Sequence, residues 1–302
     1  MKLLFRLKIL AILAVIIQSC VSSKEISEKK LLQSVEVIST LSLEITETSG
    51  LETIGNQLVT HNDSDAAPVI YFLNVNGQIQ SQTQFVNMKN VDWEDIARSN
   101  THFYIADIGN NHGNREDPTI YKIPLESIED PNIFPEKIRI SYTSQTDFTY
   151  KNQDHRHDAE AIVYAKDQLF LFSKNWVDFE SSVYRLTDER IQQLSTNQPI
   201  DVNGLVTGAT YNGIDRIVLC GYDSALVPFI AVLNVDANNN LSMIERIELP
   251  LDSGAQIEAI TYYKTVDDNE IYYLTSEAIN LKLGEDEAKT NGQLYRITLK
   301  AQ

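Results

Sequence analysis

A short motif that recurs along most of the chain constrains the fold more than any other feature. Its fullest form is Val91-Asp92-Trp93-Glu94-Asp95-Ile96. Weaker copies read Thr48-Ser49-Gly50-Leu51, Asp158-Ala159-Glu160-Ala161-Ile162, Val206-Thr207-Gly208-Ala209-Thr210 and Gln256-Ile257-Glu258-Ala259-Ile260. Each copy opens an apolar run that is followed, after a tight turn, by a second one. Each carries a small or acidic residue at one place, read here as Ser49, Glu94, Glu160, Gly208 and Glu258. The intervals between these residues are 45, 66, 48 and 50. Repeats of that length built from short strands suit the four-stranded blades of a β-propeller.

From Ser34 onward the runs alternate or are rich in β-branched and aromatic residues, with almost no sustained helical period. Four strands are expected in each of the first four units. The third unit ends on a weak strand over Arg190 to Ser195. The fifth unit offers only three, while Val35 to Leu41 near the N-terminus is an unassigned strand. An N-terminal strand that completes the last blade would close the ring and remove its exposed edges. The expected fold is therefore all-β, a propeller of five four-stranded blades, or of six if the long second interval contains another.

In such a ring the starts of the inner strands share one face with the loops that follow the second strands. Those loops are long: His61 to Pro68, Asp107 to Pro118, Ser173 to Ser181, Gly221 to Pro228 and Thr275 to Gly292. The opposite turns, such as Gly55-Asn56 and Lys166-Asp167, are short. One elaborated face on a rigid scaffold is how binding surfaces are built.

The first twenty residues read as targeting rather than fold. Lys2, Arg6 and Lys8 precede the apolar run Ile9 to Ile17, which is too short to span a bilayer. Ile17-Gln18-Ser19-Cys20 resembles a bacterial lipobox, which implies cleavage of residues 1–19 and lipidation of Cys20. The alternative is an ordinary secretory signal. Residues 20–33 then form the lipidated cysteine and a polar tether, and residues 34–302 the propeller. Loss of the three basic residues takes the formal charge from −17 to −20. So acidic a chain does not suit nucleic acid, and the partner expected instead is a membrane, reached through the lipid. No Asp follows Cys20, which leans toward the outer membrane of a Gram-negative cell envelope. The second cysteine, Cys220, sits in an apolar run and reads as core packing.

The chemistry gathers on the elaborated face. Inner-strand starts bring Asp92, Glu94, Asp95, Asp158, Glu160 and Glu258 toward the channel. Second-strand ends add His61, Asp63, Asp107, Asn110, Asn111, Lys174, Asn175 and Glu277. Converging hard oxygen donors suit Ca2+, which takes 6 to 8 of them. The expected cation ligands are Glu94, Glu160, Glu258, Asp107 and Glu277, with Asp63, Asn110, Asn111 and Asn175 as ligand-binding residues. The competing reading makes the carboxylates acceptors for backbone amides or partners of Arg115, Arg156 or Lys174, which would tie blades together. No HExxH, paired CxxC or GxSxG motif is present. If the protein is an enzyme, the form expected is a metal-assisted hydrolase in which Ca2+ polarises a substrate oxygen and His61 or His157 moves protons, with Lys174 a further catalytic candidate. His155-Arg156-His157 reads either as an anion site or as a solvated basic patch.

Thr48-Ser49-Gly50-Leu51, Asp92-Trp93-Glu94-Asp95-Ile96, Tyr104-Ile105-Ala106-Asp107-Ile108-Gly109-Asn110-Asn111 and Asp158-Ala159-Glu160-Ala161-Ile162 together resemble the SdiA-regulated and phytase-esterase-like propellers. The resemblance spans roughly Leu41 to Leu299. It implies a propeller with an acidic channel mouth and, in the phytase-like members, Ca2+-dependent ester or phosphoester hydrolysis. A more distant similarity, to gluconolactonase-type propellers, rests on the same acidic strand starts. Two functions follow: a lipid-anchored propeller that binds a small molecule or protein on its long-loop face with Ca2+ at the channel mouth, or a Ca2+-dependent hydrolase of phosphoesters, esters or lactones.

Overall fold

The computed structural model describes residues 30–196, 198–252, 254–283 and 286–301, with the backbone alone for 279–290. The expected signal segment, Cys20 and nearly all of the expected tether lie outside the described residues. Strand β1 (Leu32–Thr40) comes first and belongs to the last blade. Blade 1 is β2 (Thr48–Ile54), β3 (Gln57–Asn62), β4 (Val69–Leu73) and β5 (Ile79–Gln84). Blade 2 is β6 (Trp93–Arg98), β7 (His102–Asp107), β8 (Thr119–Pro124) and β9 (Glu136–Tyr142). Blade 3 holds β10 (Ala159–Ala165), β11 (Gln168–Ser173) and β12 (Ser181–Leu186). Its chain then leaves as β13 (Ile191–Leu194) and returns as β14 (Pro199–Ile200). Blade 4 is β15 (Leu205–Tyr211), β16 (Arg216–Tyr222), β17 (Pro228–Val235) and β18 (Leu241–Glu248). Blade 5 starts with β19 (Ile257–Val266) and β20 (Asn269–Ser276). A separate hairpin, β21 (Ile279–Leu283) with β22 (Asp286–Thr290), precedes β23 (Gln293–Lys300).

The fold is the expected five-bladed propeller. The ring closes where β1 pairs antiparallel with β23, from Leu32 opposite Leu299 to Thr40 opposite Gln293. Blade 5 thus takes strands from both ends of the chain, in the order β1-β23-β20-β19.

Successive side chains of a strand point to opposite faces, and each blade has a neighbour on both faces. In β7, Phe103 and Ile105 pack toward blade 1, against Val59, Ile70 and Phe72, while Tyr104 and Ala106 pack toward blade 3, against Ile162 and Leu171. Comparable clusters fill the junctions of blades 3 and 4, 4 and 5, and 5 and 1. This two-sided burial is why Arg216–Tyr222 and Val69–Leu73 are buried at every position instead of alternating.

One strand departs from expectation. The segment over Arg190 to Ser195 does not complete blade 3. Its β13 crosses to the outer edge of blade 2 and pairs parallel to β9, with Ile191 opposite Arg139 and Leu194 opposite Tyr142. Leu194 is buried among Ile138, Tyr142 and Leu186, at the junction of the two blades. The fourth strand of blade 3 is the two-residue β14, paired to Ser181 and Ser182. An outer edge carries little sequence signal, so a four-residue amphipathic run can serve either sheet.

Near its start, every inner strand carries a bulge, where one extra residue opposes none on the second strand. The extra residues are Gly50, Glu94, Glu160, Thr207 and Glu258. This corrects the repeat alignment in two blades: Gly50, not Ser49, and Thr207, not Gly208, are the counterparts of the three glutamates. Gly50 has φ of 63°, and a Cβ there would meet His61 and the backbone of Asp95 and Ile96, so a glutamate cannot occupy that place. A bulge bends its strand and re-aims one side chain, and here it does so five times around one channel.

Below the bulges the inner strands bond to each other across blades. Asp95 accepts hydrogen bonds from its own neighbour Ile96 N and from Ile162 N of blade 3, both at 2.8 Å. Thr210 Oγ1 accepts from Tyr262 N at 2.8 Å, and the hydroxyls of Thr53 and Thr261 lie 3.1 Å apart. Asp95 is fully buried, and its role is the blade-tying alternative raised above rather than a channel ligand. Asp95→Ala leaves an amide of the next blade unsatisfied and should lower unfolding stability by about 2–4 kcal/mol. Denaturant unfolding measures this, and a loss below about 1 kcal/mol would show that the bond across blades is dispensable.

Candidate metal centre at the channel mouth

The bulged glutamates and the second-strand ends meet where the channel opens on the long-loop face. Asp92 and Glu94 flank Trp93 at the start of β6. The Trp93 ring is fully buried in the junction of blades 1 and 2, with its indole N–H donating to Lys89 O at 2.8 Å. Asp63 follows β3, where Asn90 Nδ2 donates to its carbonyl at 2.7 Å. One oxygen from each of Asp63, Asp92 and Glu94 can be chosen so that all lie within 4.8 Å of one another.

Two further observations mark this point as built. Glu94 is buried, and its Oε1 has no hydrogen-bond partner, although a buried polar atom without one costs about 1–3 kcal/mol. Gly109 lies directly against Glu94 Oε1 and Asp92 Oδ2. Any side chain there would occupy the space between the carboxylates, so the glycine is required by close approach. Gly109 and its neighbour Ile108 donate their amides to Asp92 O, which holds the loop against the strand start.

The other carboxylates of the mouth are largely engaged. Arg115 Nη2 donates to Asp107 Oδ1 at 2.5 Å, and Asp107 Oδ1 also accepts from Asp92 N at 3.0 Å. Asp158 accepts from Asn110 N at 2.8 Å and from Trp176 Nε1 at 2.9 Å. Glu160 faces Lys174 Nζ at 2.6 Å. Burial works against the Lys174 charge, yet Glu160, with Tyr222, Glu258 and Asp158 around it, holds the ammonium protonated well above its ordinary range. Its cation also lies over the Trp176 and Tyr222 rings, at 5.1 and 5.5 Å from their centroids.

The remaining acids repel one another. Burial, then the nearby Asp63 and Asp158, pushes Asp92 up to about 7. Burial raises Asp63 to about 6 and Glu258 to about 7. Burial and Glu258 raise the half-buried Glu277 to about 9. Glu94 is held well above the usual carboxylate range by burial, followed by Asp63, Glu160, Asp92 and Asp158. An oxygen-only donor set with excess negative charge, an orphaned buried oxygen and a cleared space fits a hard divalent cation such as Ca2+.

Of the expected cation ligands, Glu94 stands in this cluster, Glu258 and Glu277 lie beside it, and Glu160 and Asp107 face Lys174 and Arg115. Asp63, expected as a ligand-binding residue, joins Glu94. Asp92 was legible as an acidic strand start but carried no distinct metal signal. Asn110 and Asn175 spend their side chains on the loops: Asn110 bonds Arg115 N and His157 O, and Asn175 bonds Val177 N and Asp178 N. Asn111 receives Gln153 N on its carbonyl at 2.9 Å. His61 is fully buried, with Nδ1 bonded to Asn62 O and burial pushing its pKa down to about 4, so it stays neutral. His157 sits apart in a side cavity of about 300 Å3, bonded to Ser144 Oγ at 3.0 Å. Beside it, Arg156 pairs with Asp178.

The raised acids make stability depend on pH. Their ordinary values are 3.8 for Asp and 4.5 for Glu, against about 6 to 9 in the folded chain. The folded state therefore binds more protons than the unfolded state between these limits, and stability falls as pH rises through that window. In chelator, Tm should drop between pH 5 and pH 8 by at least about 5 °C, with less of a drop in Asp92→Asn. Calorimetry at the two pH values checks this, and a flat or rising profile would contradict the electrostatic picture.

No protein-family model matches the sequence, and no curated protein matches it. Among solved structures, the chain is similar to the PQQ-bound aldose sugar dehydrogenase of Streptomyces coelicolor, with a TM-score of 0.49 and 9% identity over 87% of this chain and 98% of that one. It is also similar to the periplasmic gluconolactonase of Pseudomonas aeruginosa, with a TM-score of 0.43 and 14% identity over 87% of this chain and 83% of that one.

Proposed function

We propose that this chain is a lipid-anchored, extracytoplasmic propeller that holds Ca2+ at its acidic channel mouth and binds a ligand on the surrounding long-loop face. The observation that carries the reading is the Asp63, Asp92 and Glu94 cluster, with its orphaned Glu94 Oε1. A cation there would satisfy that oxygen and relieve the repulsion that raises the neighbouring acids. Glu258 and Glu277 are near enough to act on the same charge. The SdiA-regulated and phytase-esterase-like resemblance supports the same face, since its quoted motifs contain Asp92, Glu94 and Gly109.

A hydrolase is the second reading. Asp92 and Glu258 are both raised to about 7, near the pH at which a general acid or base works best. Lys174, held protonated by Glu160 at 2.6 Å, would stabilise negative charge on a substrate oxygen. A bound cation would polarise that oxygen. Among the histidines, His61 is too deeply buried to reach a substrate.

The anchor rests on residues 1–20: the basic start, the short apolar run and the Cys20 lipobox. Cys20→Ser should abolish incorporation of labelled palmitate and release the chain from the membrane fraction. Continued labelling would refute the assignment.

For the cation, Ca2+ added to the chelated mature chain should raise Tm at pH 8. At 100 times the dissociation constant the gain is about 2.7 kcal/mol. Glu94→Gln and Asp92→Asn should each remove most of that shift, and its persistence in both would dismiss the site. Turnover of a phosphoester and lactone panel, lost on chelation and in Glu94→Gln, would favour the hydrolase over the binding protein.

A further inference from the structure

The channel has a second mouth, at the far ends of the inner strands. All five blades enclose there a cavity of about 460 Å3, through Glu52 of blade 1, Arg98 of blade 2, Tyr164 of blade 3, Tyr211 of blade 4 and Tyr262 of blade 5. Between the two mouths lie the buried Asp95 and the bonds of Thr210 and Thr53 across blades. The cavity is therefore distinct from the acidic mouth, and its size is that of a small-molecule site.

Most polar groups of its wall are already used. Lys166 Nζ donates to Val235 O at 2.6 Å, Tyr211 Oη donates to Ile214 O at 2.7 Å, and the Tyr262 hydroxyl bonds that of Thr265 at 2.8 Å. Arg98 differs. Its Nε donates to Thr53 O at 2.7 Å and lies 3.5 Å from Glu52 Oε1, which fixes the guanidinium, while its two terminal nitrogens have no partner among the described residues. A fixed guanidinium with both terminal nitrogens free matches a carboxylate. Glu52 Oε1 already accepts from Thr53 N at 2.7 Å, which leaves its second carboxylate oxygen for a hydroxyl, and the exposed Asn100 amide adds a donor and an acceptor at the rim. Tyr164, Tyr211 and Tyr262 line the cavity from three blades, and aromatic walls offer apolar surface to the face of a small ring.

We propose that this second mouth binds a monosaccharide-sized hydroxy-carboxylate ring, a uronate, with its carboxylate on Arg98 and a hydroxyl donating to Glu52. The face opposite the long loops is then a recognition site in its own right, and it does not depend on the cation reading.

The test is titration of D-glucuronate and D-galacturonate into the full mature chain, followed by calorimetry, with D-glucose as the neutral control. At least one uronate should bind with Kd below about 1 mM, and glucose should bind at least tenfold more weakly. Arg98→Met should weaken binding at least tenfold. Asn100→Trp, a change in an exposed turn, should block the cavity without touching Arg98, and it carries the test alone if Arg98→Met does not fold. Glu94→Gln should leave uronate binding unchanged. Absence of binding by both uronates, equal binding of glucose, indifference to Arg98→Met and Asn100→Trp, or loss in Glu94→Gln would each overturn the proposal.

Discussion

Each blade is a small sheet with two apolar faces, and neither face can be left in water. That constraint makes the ring obligatory. A blade has no core of its own; its strands are buried because Ile105 meets blade 1 while Ala106 meets blade 3, and so on around the circle. The circle therefore needs a closing contact, supplied by β1 and β23. Pairing the two ends of the chain within blade 5 means that no blade can leave without exposing two faces. The swapped β13 extends the same logic outward, since it belongs by connection to blade 3 and by hydrogen bonds to blade 2.

The ring also explains why charge can be concentrated at one mouth. The bulge near the start of every inner strand turns one residue out of the ladder, so five such residues come to one channel. Three of them are glutamates. Packing them beside Asp63, Asp92 and Glu277 opposes folding, and the structure offsets part of that cost with Lys174 and Arg115. The offset is uneven. Glu160 and Asp107 have cations, whereas Glu94 keeps an oxygen with no partner beside the space that Gly109 leaves clear. Unrelieved charge in a rigid frame is what distinguishes a place for a ligand from a set of structural ion pairs.

Much of this was legible beforehand. The recurrence of the inner-strand motif, the missing fourth strand of the last unit and the contrast between long and short loops all follow from local chemistry, because burial on both faces imposes apolar runs and turns impose glycine, asparagine and aspartate. The bulge position was not legible. In three blades the glutamate marked it, but Ser49-Gly50 and Thr207-Gly208 each offer two small residues, and only the register against β3 and β16 decides between them. The destination of Ile191–Leu194 was hidden for a similar reason: an amphipathic four-residue strand fits any free edge of the right polarity.

What the sequence by itself determined is the class of fold, the closure of its ring, and the face to which the acidic residues go, since these depend on periodicity and spacing along the chain. What only the tertiary structure decided is how the carboxylates differ. Asp95 bonds amides of its own and the next blade, Asp158 accepts from Asn110 and Trp176, Glu160 and Asp107 meet cations, and Glu94 is the one carboxylate among the described residues that keeps a buried oxygen without a partner. The physical reason is that a carboxylate's state is set by its neighbours within a few ångströms. Some of those neighbours come from another blade, as Ile162 does for Asp95 and Asn110 for Asp158, and others from a loop of the same blade, as Lys174 does for Glu160 and Arg115 for Asp107; only the folded chain brings either kind within reach.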